Sequence, residues 1–234
     1  MDNPKILTLL ENQTNHLFKK LNGLTISSLY KQEYQDIKSG RIFVLDSGER
    51  EMLNDLKKLS KDTSNDNLIS NKLKDFLNLK NEILINYFEN EFQKVFDKII
   101  LSTKQDEIQA LFIEYDFYYH FTSCITCYGQ QDYPIIEEPR YITSEYDYNK
   151  QVLFLESGVN FQPAWLDCEE FSNFDYLDIS CELEKMFQYH SRVLLHKALR
   201  NLDNNSTLIF LKNRPFTFYI NEHDSEVMML YRLN

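Results

Sequence analysis

The spacing of hydrophobic residues changes near the middle of the chain, and this change limits the possible folds more than any other feature. From Leu68 to Leu101 apolar residues recur every three or four positions, as on the buried side of a helix. After residues 102–107 they alternate, so that Leu111, Ile113 and Tyr115 lie on one side of an extended chain. The sequence therefore predicts an α+β fold: a helical N-terminal region followed by a mostly antiparallel sheet with at least one long helix packed on it.

Start and stop signals give the limits of the individual elements. Predicted helices run between residues 3 and 23, 25 and 39, 50 and 59, 68 and 101 (one helix, or two separated by a kink near 79–81), and 180 and 203. Residues 41–45 are expected to be extended, and predicted strands cover 110–118, 123–128, 151–156, 207–211, 216–221 and 227–232. We expect a helical region over 1–104 and an α+β sheet domain over 105–234, which could also form one continuous packed unit.

The acidic charge is concentrated in one part of the chain. The formal net charge is −11, yet residues 1–104 carry 16 Lys and Arg against 15 Asp and Glu. Residues 106–184 carry 2 basic residues against 17 acids, together with 9 of the 15 tyrosines. Proteins that bind nucleic acids present basic surfaces, so this distribution argues against nucleic acid and favours a basic protein as the partner.

The sequence contains no motif that indicates catalysis or a bound metal. Cys124 and Cys127 have the spacing of half a zinc site, but residues three apart in a strand point to opposite faces, which favours small core residues. A calcium-like loop around Asp147 has Lys150 where a glycine is required, so we interpret it as an accidental match. With only five glycines, phosphate-binding loops are nearly excluded. We therefore predict no enzymatic activity, no cofactor and no metal.

The N-terminus and the apolar segments suggest a cytoplasmic protein. The first residues, MDNPKILTLLENQ, have an early acid and no basic region of the kind that begins a signal peptide. The longest uncharged run, 117–131, is rich in Tyr, Thr and Ser, so no membrane span is expected. A reducing location follows, with the four cysteines reduced.

The acidic and tyrosine-rich segments predict a docking surface for a basic protein. Tyrosine and tryptophan supply rigid contact area, and a negative field speeds the encounter with a positive partner. Solvated acids over a tyrosine-rich core are the alternative interpretation. The predicted interface residues are Glu114, Asp116, Tyr118, Tyr133, Glu137, Glu138, Tyr146, Asp147, Trp165, Asp167, Glu169 and Glu170.

The C-terminal half resembles a group of known families. The segment ALFIEYDFYYHFTSCITCYG, then PAWLDCEEF, a helix and the closing segment PFTFYINEHDSEVMMLYRLN are similar to uncharacterised α+β families of immunity proteins from bacterial polymorphic toxin systems. The resemblance covers residues 109–234 and leaves 1–104 unexplained. It implies a cytoplasmic, cofactor-free protein that blocks a toxin by occluding its active site.

The expected function is a non-enzymatic, acidic protein-binding module. In this interpretation it is an immunity-type inhibitor that neutralises a basic toxin, such as a nuclease, by placing acids where phosphates would bind. One alternative is a hydrolase or transferase that uses carboxylates of the sheet, with or without a divalent metal. Another is a structural or regulatory protein that binds its partner through the helices. None of these involves a nucleic acid or a membrane as the partner.

Overall fold

The structure is a computed structural model, which describes residues 2–42, 49–116, 120–136, 147–166, 168–222 and 226–234. The helices are α1 (Asn3–Leu21), α2 (Ile26–Lys38), α3 (Glu49–Leu59), α4 (Leu68–Leu77), α5 (Asn81–Leu101) and α6 (Ile179–Asn204). The strands are β1 (Ala110–Asp116), β2 (His120–Tyr128), β3 (Gln151–Leu155), β4 (Phe216–Glu222) and β5 (Met228–Leu233). The α+β fold class is confirmed.

Local signals account for both ends of α1 and for the start of α2. The Asp2 carboxylate accepts from the Lys5 amide at 3.2 Å at the start of α1, and Gly23, at φ +87°, follows its end. Thr25 begins α2 with a capping box that it forms with Ser28. The periodic stretch between residues 68 and 101 is two helices, α4 and α5, which confirms the kinked alternative. Within the described ranges, none of the helices is both long and apolar enough to cross a bilayer.

The five strands form one sheet in the order β3-β2-β1-β4-β5. The pairs β1–β2, β2–β3 and β4–β5 are antiparallel, and only the central β1–β4 pair is parallel, so the prediction of a mostly antiparallel sheet is confirmed. The last two strands form the predicted hairpin, although residues 223–225 lie outside the described part of the chain. Of the extended segment expected at 41–45, only 41 and 42 are described.

The strand predicted at 207–211 is wrong. Residues Thr207–Phe210 form a short 3₁₀ helix between α6 and β4. Leu208 and Leu211 are buried, at 1% and 0% exposure, while Ile209 between them is 76% exposed. This three-residue period places two leucines in the core and leaves one isoleucine outside, which a strand could not do. The content of apolar and β-branched residues suggested a strand.

The alternating stretch that defines β1 packs as predicted on one face only. Leu111 and Ile113 are fully buried and Tyr115 is 2% exposed. Phe121 lies in β2 with its ring centre 5.9 Å from that of Trp165, and it remains 48% exposed. The other face of β1 is not fully solvated, because Phe112 there is 5% exposed. Its ring stacks on Tyr219 of β4 with the ring centres 4.5 Å apart.

Contacts divide the chain into two compact units, each discontinuous in sequence. Unit 1 consists of residues 1–13, 80–165 and 188–234, and unit 2 of residues 14–79 and 166–187. Unit 1 contains the whole sheet, and Phe96 of α5 packs 6.3 Å from Phe218 of β4 between ring centres. In unit 2, the Phe76 ring lies 5.9 Å from that of Phe18 and 5.6 Å from that of Phe187. The expected division at residue 104 follows the change in hydrophobic spacing and differs from this division by contacts.

Candidate functional site

The parallel pairing of β1 and β4 brings acidic side chains to one end of the sheet. Because the two strands run in the same direction, both end at the same edge, where Glu114 lies opposite Asn221 and Tyr115 opposite Glu222. Ile220 lies opposite Met228 of β5, and continuing this register places Glu226 opposite Glu222. We call Glu114, Asp116, Glu222 and Glu226 the acidic end. Neighbouring strands are about 4.8 Å apart, so these four residues span only about 10 Å across the sheet.

The four acids differ in burial and in the face that they occupy. Glu114, Asp116 and Glu222 are half-buried, and Glu226 is exposed. Glu114 and Asp116 lie on the face of Phe112, whereas Glu222 shares the register of Tyr115 on the face that carries the main core. The Asn221 amide donates to Glu114 Oε2 at 3.1 Å, which fixes the orientation of this carboxylate. The acidic end therefore presents negative charge along the rim of the sheet rather than on one flat face.

Cys124 lies directly opposite Glu114 on β2, and its thiol is not activated. Burial first, and then the nearby Glu114 carboxylate, raise the pKa of the Cys124 thiol above its usual value. Burial raises the pKa of Cys127 to about 12. Nucleophilic and redox-active cysteines need a lowered thiol pKa, so neither residue has the environment of a reactive thiol. Their positions agree with the prediction of small, partly buried core residues.

A buried arginine lies beneath the acidic end. Arg192 of α6 is 4% exposed, and its guanidinium donates to the Tyr115 hydroxyl at 2.8 Å. It also lies 4.9 Å from the centre of the Tyr189 ring, a cation–π distance. Burial raises the pKa of Tyr115 despite the opposing effect of Arg192, and the charge of Glu222 raises it further. No sequence pattern marks this residue, because it lies among apolar positions of α6 without a nearby acid on the same helix face.

The described residues of the predicted interface lie in several places. Glu114 and Asp116 belong to the acidic end, and a second location joins Tyr133 and Asp147 through Gln131. Gln131 Nε2 donates to the Tyr133 hydroxyl at 3.1 Å, and its Oε1 accepts from the Asp147 amide at 2.6 Å. Tyr133 is half-buried and Asp147 is exposed. Both residues hold the segment after β2 in place through Gln131, and both are at least partly accessible to a partner.

Trp165 lies in the core rather than on a surface. It is 7% exposed, and its indole N–H donates to the Ser191 hydroxyl at 2.9 Å. The ring stacks on Phe161 with the centres 4.9 Å apart. The tryptophan therefore offers little area to a partner, contrary to the role that the sequence suggested for it. A lone tryptophan in an acidic, loop-like segment does not distinguish these two roles.

The remaining predicted residues belong to unit 2 or are not described. Glu169 and Glu170 are exposed residues of unit 2, and Glu170 forms an ion pair with Lys72 at 2.7 Å. The predicted interface residues that lie outside the described residues are Tyr118, Glu137, Glu138, Tyr146 and Asp167.

His190 and His196 have structural surroundings. His190 Nε2 lies 2.9 Å from the Asn81 side-chain oxygen, and burial together with Lys197 lowers the pKa of its imidazole to about 4. His196 is 1% exposed with Nδ1 2.7 Å from the Leu230 carbonyl oxygen, and burial lowers its pKa to about 4 as well. Among the residues that the structure describes, no group of three His, Cys, Asp or Glu side chains is arranged to hold a metal ion.

The acidic end is thus a set of oriented carboxylates at the rim of a sheet, suited to electrostatic attraction and hydrogen bonding with a cationic surface. Comparisons with protein families, with characterised proteins and with solved structures gave no match to this chain.

Proposed function

We propose that the protein is a non-enzymatic binding module that neutralises a basic protein partner, in the manner of an immunity protein, and that the acidic end is its contact surface. The observation that carries this proposal is the parallel β1–β4 pair, which gathers Glu114, Asp116 and Glu222 at one end of the sheet, with Glu226 beside them. The partner would be a toxin with a cationic active-site groove, such as a nuclease, and both proteins would act in the cytoplasm.

The physical basis of recognition is the local field of the acidic end. Carboxylates on three adjacent strands create a negative potential that attracts a cationic groove from a distance and orients it during the encounter. Glu114, Asp116 and Glu222 are already partly shielded from water by the sheet, so a partner removes less solvent from them on binding. Asn221 holds Glu114 in place, so less side-chain freedom is lost when an arginine or lysine of the partner binds it.

The buried Arg192 supports this role by a different route. Its positive charge lies behind Tyr115, at the end of β1, and partly offsets the repulsion among the acids of the rim. Because the guanidinium is 4% exposed, it does not present positive charge to a partner. The acidic end can therefore present negative charge to a partner, while the buried guanidinium lowers the repulsion among its carboxylates.

The first experiment identifies the partner. The tagged chain is used to capture interacting proteins from its source organism, and we expect a co-purifying protein with an excess of Lys and Arg. Production of that protein alone should stop bacterial growth, and co-production of this chain should restore it. Capture of a partner that does not harm growth would leave the binding role in place and remove the immunity role.

The second experiment tests the acidic end. A variant with Glu114→Gln, Asp116→Asn, Glu222→Gln and Glu226→Gln should associate with the captured partner at least about tenfold more slowly at low ionic strength. The matched control neutralises four exposed acids elsewhere in unit 1: Glu82→Gln, Asp97→Asn, Glu107→Gln and Asp132→Asn. The association rate of each variant with the captured partner is measured at low and high salt by stopped-flow or surface-based binding, and the two rates are compared. Equal slowing in both would show that only the net charge matters and that the acidic end is not the contact surface.

A further inference from the structure

We propose that the protein forms a symmetric dimer in which β3 pairs, antiparallel, with β3 of a second copy of the chain. This inference goes beyond the proposed function, and it uses none of the residues of the acidic end. It rests on the position of β3 in the sheet, on the exposed side chain of Phe154 and on the two charged residues that border the strand.

Among the described residues, the outer side of β3 has no strand paired with it. β3 is the outermost strand of the sheet. Phe154 is 48% exposed, and Gln151 is exposed as well. An exposed apolar edge strand is a template for pairing with another chain.

The opposite edge of the sheet shows how this protein closes an edge. At β5 the side chain of Asn3 acts as a substitute for a further strand: its amide nitrogen donates to the Arg232 carbonyl at 2.8 Å, and its oxygen accepts from the Arg232 amide at 2.9 Å. At β3 the Lys104 side chain donates from Nζ to the Val152 carbonyl at 3.4 Å. Lys104 is exposed and long, so it can move aside when a strand approaches.

The charges around β3 specify the second copy as the occupant and the antiparallel orientation as the geometry. Lys150 comes directly before the strand and Glu156 directly after it, with no charged residue between them. In an antiparallel pair centred on Leu153, Val152 lies opposite Phe154 of the second copy, and Lys150 lies opposite its Glu156. By symmetry this contact occurs twice. A parallel pair would place Lys150 against Lys150 and Glu156 against Glu156, which is unfavourable.

The cross-strand partners also suit one another in size and polarity. The exposed Phe154 ring covers Val152 of the second copy, an aromatic and β-branched pair of the kind that stabilises sheets. A contact between two five-residue strands is smaller than the ~1,600 Å² of a standard interface, so we expect a reversible dimer that dissociates on dilution. Sedimentation velocity of the purified chain from about 5 to about 500 µM should therefore show a monomer–dimer equilibrium.

Charge reversal tests the pairing without any partner protein. Lys150→Glu alone, or Glu156→Lys alone, converts both ion pairs into like-charge contacts and should weaken dimerisation at least about tenfold. The double variant Lys150→Glu/Glu156→Lys exchanges the two charges and should dimerise like the wild type. An equimolar mixture of the two single variants should form a heterodimer, although neither forms a homodimer. Glu82→Lys, an exposed reversal on α5, is the control and should leave the dimer unchanged.

Any of three results would overturn the proposed β3 dimer. A wild-type chain that stays monomeric at the highest concentration has no β3 dimer. A dimer that persists in both single variants, or a double variant that stays monomeric, uses another surface. Circular dichroism of each variant shows whether the fold is retained, so that a loss of dimer is not confused with unfolding. Because the purified chain is used alone, failure here says nothing against the acidic end as a partner surface.

Discussion

Several buried polar side chains of unit 1 form specific hydrogen bonds or close polar contacts. The indole N–H of Trp165 donates to Ser191, the guanidinium of Arg192 donates to the Tyr115 hydroxyl, and the imidazole of His196 lies 2.7 Å from the Leu230 carbonyl oxygen. A buried polar group without a partner costs about 1–3 kcal/mol, so each of these pairs selects one arrangement of α6 against its surroundings. Their contribution is specificity of packing, and it can be tested at single residues.

His196 should make stability depend on pH. Burial, with smaller effects of Arg200 and Lys197, lowers its pKa from 6.5 to about 4 in the folded protein. Between these values the unfolded chain binds more protons than the folded chain, so the free energy of unfolding falls as the pH is lowered from about 6.5 towards 4. His196→Gln keeps a donor for the Leu230 carbonyl and removes the titration. The wild type should therefore lose roughly 3 kcal/mol more than this variant between pH 7 and pH 4.

Urea unfolding followed by Trp165 fluorescence measures this difference, since Trp165 is the only tryptophan. His16→Gln, at an exposed position of α1, is the control and should follow the wild type. If the free energy of unfolding falls with pH to the same extent in the wild type and in His196→Gln, His196 is not the source of the acid sensitivity.

At the scale of elements, helix ends were easier to predict than strand neighbours. The Asn3-Pro4 pair predicted the start of α1 correctly, and the position of Gly23 predicted its end. The same Asn3 side chain, however, bonds the backbone of β5 rather than the turn of its own helix, where Asp2 provides the cap. Local sequence determined where the helix begins, while the contact to β5 joins residues 229 positions apart.

Asn3 should stabilise the β5 edge. Asn3→Ala removes both hydrogen bonds to the Arg232 backbone, so we expect a loss of about 1–3 kcal/mol in the free energy of unfolding. The amide of Arg232 should also exchange with solvent faster, because its partner is lost. Asn12→Ala, at an exposed position of the same helix, is the matched control and should be neutral or slightly stabilising, since alanine favours helices. Unchanged exchange at Arg232 in Asn3→Ala would mean that the edge is protected by other contacts.

At the scale of the whole molecule, the net charge of −11 acts against the compact state. The cations and acids of residues 1–104 nearly balance, so the excess of acids lies in the later part of the chain, where the acidic end is found. Concentrating like charges at one place is costly for stability and useful for binding. Such an exchange of stability for function is common at binding sites.

Salt should therefore stabilise the protein. Raising the ionic strength from about 10 mM to about 200 mM shortens the Debye length from about 30 Å to below 10 Å and screens the repulsion among the acids. We expect the thermal midpoint of the wild type to rise over this range. The variant with the four neutralised acids of the acidic end should have a higher midpoint at low salt and a smaller rise, and the four-acid control variant should fall between them. A midpoint that falls with added salt would show that attractive ion pairs dominate instead.

The candidate site was predictable only in part. The alternation along β1 correctly placed Glu114 and Asp116 opposite the main core, because side-chain direction in a strand follows from sequence position alone. Glu222 and Glu226 were not among the predicted residues, since their closeness to Glu114 depends on the parallel pairing of β1 with β4. The burial of Trp165 and Arg192 depends on which helix face contacts the sheet. Local sequence patterns do not predict that contact.

By itself the sequence determined the α+β class, the limits of most helices, the alternation of β1 and the local excess of acid, because these depend on spacing and composition within short stretches. The tertiary structure alone decided the strand order, the parallel pair at the centre of the sheet, the 3₁₀ turn at Thr207–Phe210 and the position of β3 as the outermost strand. The physical reason is distance along the chain. Strand pairing and burial depend on competition among contacts between residues far apart in sequence. Such contacts produce no repeating pattern of residues within either segment.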